Sequence, residues 1–298
     1  MNRFDEFVKT LDKPLFVLVM GLSGSGKTTL ANKLSEEYSM EVISFEEIRK
    51  ELERSEIFDI GYNEIVDFAG QRIRKKLEKG ENIILDSAGL NSQRRAYFLK
   101  QLKDVDCTTA CVVKLVDVKT CIKRQEDKLF ETAEDVIWKQ YEQFQIPNPV
   151  EGWNYVARDV FNDGPPLDEL YKQGEAEDYV KVIQHLEIAA QMAIDKGYPP
   201  YLVNAAKYHD IGKFSLKFIE ENEDSEFIHH ENIGAYLYAL AADDVNWLYV
   251  SNLILWHRVA YEMTTEKRKK IQKRFGQRFT SDLILLAAID KDSKNEVG

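Results

Sequence analysis

The sequence predicts two domains of different class, an α/β unit built on a parallel sheet flanked by helices and, after it, an all-α unit. Three observations carry this. Residues 15–20, LFVLVM, are an all-apolar run of strand length, and GLSGSGKT follows at Gly21–Thr28. All five histidines lie between His185 and His257, so the first 184 residues contain none. From about residue 175 apolar residues recur at three- and four-residue spacing, the period of helices.

Composition sets the outer limits. A chain of 298 residues with 44% hydrophobic content is long enough for two cores and is not that of a disordered protein. No apolar run reaches membrane-spanning length, and LFVLVMGL has no signal-peptide cleavage pattern after it, so a cytoplasmic protein is expected. Cys107, Cys111 and Cys121 are too few and wrongly spaced for a zinc ribbon or a disulfide framework and read as small buried hydrophobes in a reducing compartment. The net charge of −11 argues against tight, non-specific coating of nucleic acid but leaves a local basic groove open. The boundary falls near FNDGPPLDEL (161–170), where Gly-Pro-Pro breaks any element. The expected division is 1–158, a linker at 159–174, and 175–298.

In the front domain, LFVLVM suits a buried parallel strand, and TTLANKLSEEY continues the glycine-rich stretch with helical period. Gly21–Thr28 satisfies every fixed position of G-x-x-x-x-G-K-[ST] in the strand–loop–helix setting that motif needs. Gly21, Ser23, Gly24, Ser25, Gly26, Lys27, Thr28 and Thr29 are therefore the expected nucleotide cradle, with backbone N–H groups converging on phosphate at a helix N-terminus. Lys27 is expected on the β- and γ-phosphates of ATP, and the Thr28 hydroxyl on Mg²⁺. A second strand, EVISF, leads to Glu46, Glu47 and Arg49. A carboxylate there is placed to take a proton from an attacking hydroxyl, and Arg49 to grip an acceptor phosphate; a solvated acidic helix start is the plainer alternative. ENIILD is a third strand ending in Asp86, placed to support Mg²⁺ or the acceptor, before a loop with Asn91, Arg94 and Arg95. CVVKLVDV is a fourth strand, and Lys123, Arg124 and Lys128 after it form a basic segment that could close over ATP.

Residues 15–155 resemble the P-loop module of phage and bacterial polynucleotide kinases, on GLSGSGKT, EEIR and LDSAGLNSQRR. The resemblance implies Glu46 as general base for a 5′-hydroxyl and Arg49 as the contact to the neighbouring nucleotide's phosphate. Aspartate is usual where this chain has Glu46, so the base is one methylene longer. Lys128 stands where the family has a lid arginine, leaving Arg124 as the β/γ-phosphate contact. Small-metabolite kinases share the same module.

The back domain reads as five helices, each with one ligand-type residue or pair: His185, His209–Asp210, His230, His257 and Asp290. A lone histidine on a helix face is usually core; one such group per helix, all turned inward, would make a mixed nitrogen/oxygen site for a divalent transition metal. The order His, His-Asp, His-Glu-x-x-Gly-Ala, His, Asp, with HDIGK written out, resembles the HD phosphohydrolase superfamily. That resemblance implies that His185, His209, Asp210 and Asp290 hold a first metal such as Mn²⁺, Ni²⁺ or Co²⁺. His230 and His257 would take a second metal or the scissile phosphate, with Lys213 and Arg258 balancing phosphate charge. His229 reads as an exposed helix start.

Together these suggest a bifunctional RNA end-healing enzyme. The kinase would phosphorylate a 5′-hydroxyl, and the HD domain would clear a 2′,3′-cyclic or 2′/3′-phosphate. Its expected partners are RNA ends, with DNA ends left open, and it would act upstream of an RNA ligase. Two rivals stand beside it: a nucleoside or metabolite kinase joined to a nucleotidase, and an ATP-gated sensor whose HD site binds without turnover. EKRKKIQKRFGQR (266–278), with seven Lys/Arg and one Glu, could contact an RNA backbone or be a solvated helix, and RIRKK (72–76) is equally ambiguous. Trp138 and Trp153 could stack a base, although core packing is the plainer role.

Overall fold

The computed structural model describes residues 2–54, 61–126, 133–161, 166–170, 177–216, 229–261 and 263–297. They form two compact units, one of residues 1–140 and 147–161, the other of residues 141–146 and 162–298.

The first unit is a five-stranded, all-parallel sheet in the order β2-β3-β1-β4-β5, with β1 (Leu15–Gly21), β2 (Glu41–Ser44), β3 (Ile83–Asp86), β4 (Thr108–Leu115) and β5 (Tyr155–Val160). Every residue of β1 is buried, as expected for a central parallel strand covered on both faces. Its neighbours are in register Val19↔Asp86 on one side and Val19↔Val112 on the other, which lines up the carboxyl ends of the strands. The connecting helices are α1 (Asn2–Lys9), α2 (Lys27–Tyr38), α3 (Phe45–Arg54), α4 (Tyr62–Leu77), α5 (Ser92–Gln101), α6 (Val118–Glu126) and α7 (Glu134–Glu142). Phe4 of α1 and Leu30, Ala31 and Leu34 of α2 close one core with Leu15, Val17 and Val19.

Strand β5 was not expected. It runs through Val160, two residues into the segment read as linker, and pairs Asp159 with Lys114 in register. Its residues are all part-exposed and two are charged, so it lacks the apolar run that marked the other strands. The other boundary shift is at residues 141–146. Tyr141 and Phe144 meet Tyr236 edge-on, with ring centroids 5.0 and 4.9 Å away, and Asn232 Nδ2 donates to the Glu142 carbonyl at 2.6 Å. This segment therefore belongs to the second unit.

The described residues of the second unit contain helices and turns: α8 (Leu167–Leu170), α9 (Glu177–Asp195), α10 (Pro200–Tyr208), α11 (Lys213–Leu216), α12 (His230–Ala241), α13 (Trp247–Trp256), α14 (Thr265–Phe275) and α15 (Gln277–Val297). Two breaks correct the expected helices. PYLVNAAKYHDIGKF stops being a helix at Tyr208, turns through His209–Gly212, and restarts at Lys213. The helix of VNWLYVSNLILW ends at Trp256, and His257–Ala260 is a 3₁₀ turn. Both breaks fall at residues expected to carry chemistry.

Candidate functional site

Each unit carries one candidate site. In the first, a cleft of about 1330 Å³ opens where the strands end, and Ser44, Asp86, Lys114 and Asp159 all line it. That exceeds the roughly 300–1000 Å³ of a single small-ligand site and leaves room for donor and acceptor together. The loop from Ser23 to Gly26 lines its floor, with Lys27, Thr28 and Thr29. Gly24 is the position that permits the loop's shape. It has φ +80°, and a Cβ there would stand 2.2 Å from the Cys121 carbonyl oxygen. Thr28 Oγ1 donates to Asp86 Oδ2 at 2.6 Å, while Asp86 Oδ1 is buried without a hydrogen-bond partner among the described residues. A hydroxyl and a half-satisfied carboxylate side by side fit Mg²⁺, which takes oxygen ligands.

At one end of the cleft stand Glu46, Arg49 and Arg94. Glu46 is exposed and paired with Lys50 one turn on, at 2.6 Å. At the other end are Arg124, Lys114, Asp159 and Phe161. Arg124 lies 4.5 Å over the Phe161 ring and reaches toward the Ser25 carbonyl at 3.5 Å, while Lys114 and Asp159 are ion-paired at 2.5 Å. Lys128 lies outside the described residues. Three features were missed in the sequence. Gln140 clamps Ser23, accepting from its N–H at 2.8 Å and donating to its hydroxyl at 3.0 Å. Lys114 and Asp159 were the others, each a charge inside a strand.

Arg94 and Arg95, adjacent in sequence, separate in role. Arg95 is buried and donates to both Glu151 oxygens, at 2.8 and 2.7 Å, and to the Gly89 carbonyl at 2.7 Å. It fastens the loop after Asp86 and does not face the cleft. Trp153 is core: it is buried, 6.4 Å from Phe16 ring to ring, and donates to Glu151. Trp138 donates to Glu134 on its own helix. RIRKK is a paired surface, with Arg72 on Glu51, Arg74 on Glu78 and Lys76 on Glu41 and Glu81.

The second site brings together every expected ligand. His185 (α9), His209 and Asp210 (the turn after α10) and Asp290 (α15) place ligand atoms within 4.8 Å of one another, and so do Asp210, His230 and His257. All are buried. Asp210 belongs to both sets: Oδ2 is 3.8 and 3.7 Å from His185 and His209 Nε2, while Oδ1 is 3.0 and 3.6 Å from His230 and His257 Nε2.

Each imidazole is turned the same way. His209 Nδ1 faces the Ala206 carbonyl at 2.9 Å, His257 Nδ1 that of Ile254 at 2.7 Å, and His230 Nδ1 Glu231 at 3.3 Å. His185 Nδ1 faces the Ser293 hydroxyl, which itself donates to the Asp290 carbonyl. With Nδ1–H given to these acceptors, the neutral rings of His185, His209 and His257 would each point a bare Nε2 inward. The His185 and His209 Nε2 atoms are then 3.1 Å apart, with Asp290 Oδ1 at 2.9 and 3.0 Å from them. Lone pairs converging like this repel unless a cation lies among them. His257 Nε2 is likewise buried without a hydrogen-bond partner among the described residues. The set fits a divalent metal of the imidazole-and-carboxylate type.

The carboxylates call for positive charge here, either a proton on His209 or a metal among the ligands. Burial works against charge on His209, but Asp210 and Asp290 outweigh it and raise its pKa. Burial also resists charge on Asp210 and Asp290, yet the surrounding imidazoles, with Lys213 beside Asp210, hold both carboxyls well below the usual range. His257 is pushed down to about 3 by burial and by the neighbouring His209. Lys213 caps Asp210 Oδ2 at 2.6 Å, Arg258 is exposed, and His229 starts α12 in the left-handed region.

Comparison with known proteins finds two matches. Residues 16–146 match the family model described as AAA domain, and residues 172–295 the HD domain. The chain joins a P-loop kinase-type domain to an HD domain. Thymidylate kinase of Leptospira borgpetersenii serovar Hardjo-bovis (strain L550) is 34% identical over 94 residues, which cover 26% of this chain and 46% of that protein. The chain thus spans about half the length of that relative. Solved structures similar to it include a gluconokinase from Sinorhizobium meliloti 1021 (16% identity, TM-score 0.36, 51% of this chain and 84% of that one). The Mycobacterium tuberculosis APS kinase CysC in complex with AMPPNP and APS is another (18%, 0.38, 51% and 91%).

Proposed function

We propose that this protein heals both ends of a broken RNA. Its kinase unit would phosphorylate a 5′-hydroxyl, and its HD unit would hydrolyse a 2′,3′-cyclic or terminal 2′/3′-phosphate. The observation that carries the reading is the acceptor end of the kinase cleft, where a carboxylate, Glu46, stands with two arginines, Arg49 and Arg94. An acid and two arginines lining one cleft suit an alcohol that already bears phosphate nearby, as an RNA 5′ end does.

In the kinase reaction Glu46 takes the hydroxyl proton as the acceptor oxygen bonds to the γ-phosphorus of ATP. The bond from that phosphorus to the β–γ bridging oxygen breaks, and ADP leaves. Lys27, the P-loop backbone and Arg124 hold the phosphate charge through this transfer. Thr28 and Asp86 would hold Mg²⁺, which neutralises phosphate oxygens.

In the HD unit His185, His209, Asp210 and Asp290 would hold one divalent metal, and Asp210, His230 and His257 a second metal or the scissile phosphate. A metal there polarises a phosphoryl oxygen and raises the acidity of water. The chain's own part is to fix the ligands through Ala206, Ile254, Glu231 and Ser293, and to balance phosphate charge with Lys213 and Arg258. Water adds to phosphorus and an ester P–O bond breaks, the departing ribose oxygen taking up a proton; a 2′,3′-cyclic phosphate is first opened to a 2′- or 3′-phosphate, and a second hydrolysis of the same kind releases inorganic phosphate and frees the hydroxyl. The resulting 5′-phosphate and 3′-hydroxyl are what an RNA ligase requires.

The likeness to a thymidylate kinase favours a second reading, in which the acceptor is a free nucleotide. One oligonucleotide decides between them. An RNA carrying a 5′-hydroxyl and a 2′,3′-cyclic phosphate is incubated with ATP and Mg²⁺, then with Mn²⁺, Ni²⁺ or Co²⁺ alone, and weighed; thymidylate and free nucleosides are run in parallel. End healing requires a 5′ phosphate gained and lost with Lys27→Ala, and a 3′ phosphate cleared and retained with Asp210→Ala. Reaction of the mononucleotides with the RNA untouched would overturn it.

A further inference from the structure

The two oxygens of Asp290 have different surroundings. Oδ1 faces the His185 and His209 Nε2 atoms at 2.9 and 3.0 Å. Oδ2 points away from them and is met by the Tyr261 hydroxyl and, at 3.0 Å, by Lys294 Nζ. Lys294 also donates to the Tyr261 oxygen at 3.3 Å, so hydroxyl, ammonium and carboxylate close a triangle. Neither residue was singled out in the sequence, and neither belongs to the two ligand sets. Lys294 is one turn after Asp290 on α15, so its reach is local. Tyr261 comes from elsewhere, directly after the 3₁₀ turn that carries His257. Its ring centroid is 6.1 Å from that of His257, and its carbonyl accepts from Lys267 Nζ at 3.1 Å.

We propose that Tyr261 and Lys294 are positioning residues that hold Asp290 as a single-oxygen metal ligand. With both donors on Oδ2, the carboxylate cannot swing to offer both oxygens inward, and Oδ1 is the atom left for the metal. Because Tyr261 follows His257 in the chain, the same hydroxyl ties the Asp210–His230–His257 set to the Asp290 set. This rests on the His/Asp cluster being a metal site. Partners of this kind, outside the ligands themselves, typically account for about 10–100-fold in metal affinity.

The test is Mn²⁺ titration of the full chain followed by electron paramagnetic resonance, which reads affinity from the free-ion signal and coordination from the bound spectrum. Tyr261→Phe keeps the ring and removes the donor, and Lys294→Met removes the cation. Each is expected to weaken Mn²⁺ binding about 10-fold, and the pair together up to about 100-fold. The bound spectrum should also change as Asp290 becomes free to rotate. Lys294→Arg, which restores a donor, should recover most of the affinity, and Lys291→Ala on the exposed face of α15 should match wild type. Thermal unfolding of each variant separates this effect from general destabilisation. Affinity within twofold of wild type and an unchanged spectrum in both Tyr261→Phe and Lys294→Met would overturn the positioning role while leaving the metal site standing. A wild-type protein that binds no Mn²⁺, Ni²⁺ or Co²⁺ would overturn both.

Discussion

Gly212→Ala, in HDIGK, should damage the second site without touching a ligand. A Cβ at this position would lie 2.0 Å from the His230 carbonyl oxygen, 2.7 Å from the Gly234 nitrogen and 2.9 Å from the His230 carbonyl carbon. All three are backbone atoms, so no side chain can turn away. To reach van der Waals distance the start of α12 must retreat by on the order of 1 Å. Overpacking of this kind costs about 1–3 kcal/mol. For a domain of this size that is a fall in Tm of roughly 3–10 °C. The same retreat carries His230 Nε2 away from Asp210 Oδ1, now 3.0 Å distant, against a tolerance of about 0.2 Å in metal–ligand distances. Thermal unfolding with and without Mn²⁺, together with metal content, measures both effects. Gly234→Ala is the internal comparison: its nearest neighbours would be at 3.3 Å, and its cost should stay below about 1.5 kcal/mol. Wild-type Tm and metal content in Gly212→Ala, or a larger penalty at Gly234, would refute the steric argument.

Arg95→Ala should cost about 3–5 kcal/mol in urea unfolding, because it leaves the buried Glu151 carboxylate without its partner. Arg95→Lys should recover little, since an ammonium cannot reproduce the two-pronged contact, whereas Arg95→Met combined with Glu151→Leu should recover much of the loss. Thiol labelling of the native protein should be confined to Cys107. Burial pushes the Cys121 thiol up to about 12 and that of Cys111 higher still, so neither forms thiolate near neutral pH, and both should react only on unfolding. Half-buried Cys107 is also raised, by burial and by Asp106, so it should label more slowly than free cysteine, at a rate that rises about tenfold per pH unit.

Much of the fold was legible because its strongest signals are local. An all-apolar strand running into Gly21–Thr28 has few other readings, and the four strands with apolar runs were found. Strand β5 was not, since an edge strand with Arg158 and Asp159 carries no such run. The candidate ligands were legible as residue types, one on each expected helical segment. Their partners were not. Tyr261 and Ser293 are common polar residues whose roles exist only through contacts 29 and 108 residues apart, Lys294 acts across one helical turn, and Glu231 meets the ring of the residue just before it. Nor does a sequence say that Arg94 lines the cleft while Arg95 is buried in an ion pair, because one step along a helix turns the side chain by about 100° and only the packing around it says which direction is covered.

By itself the sequence determined which chemistries the chain can hold: a phosphate-binding loop in the first unit, a histidine–aspartate set in the second, and a glycine–proline break between them. Those follow from backbone freedom, side-chain pKa and periodicity, which are properties of short stretches. The tertiary structure decided geometry. It made Asp210 common to both ligand sets, turned every Nδ1 outward so that every Nε2 points in, and gave the two oxygens of Asp290 different neighbours. Those outcomes depend on helices distant in sequence meeting in one core, where a lone pair must find a partner or repel its neighbour.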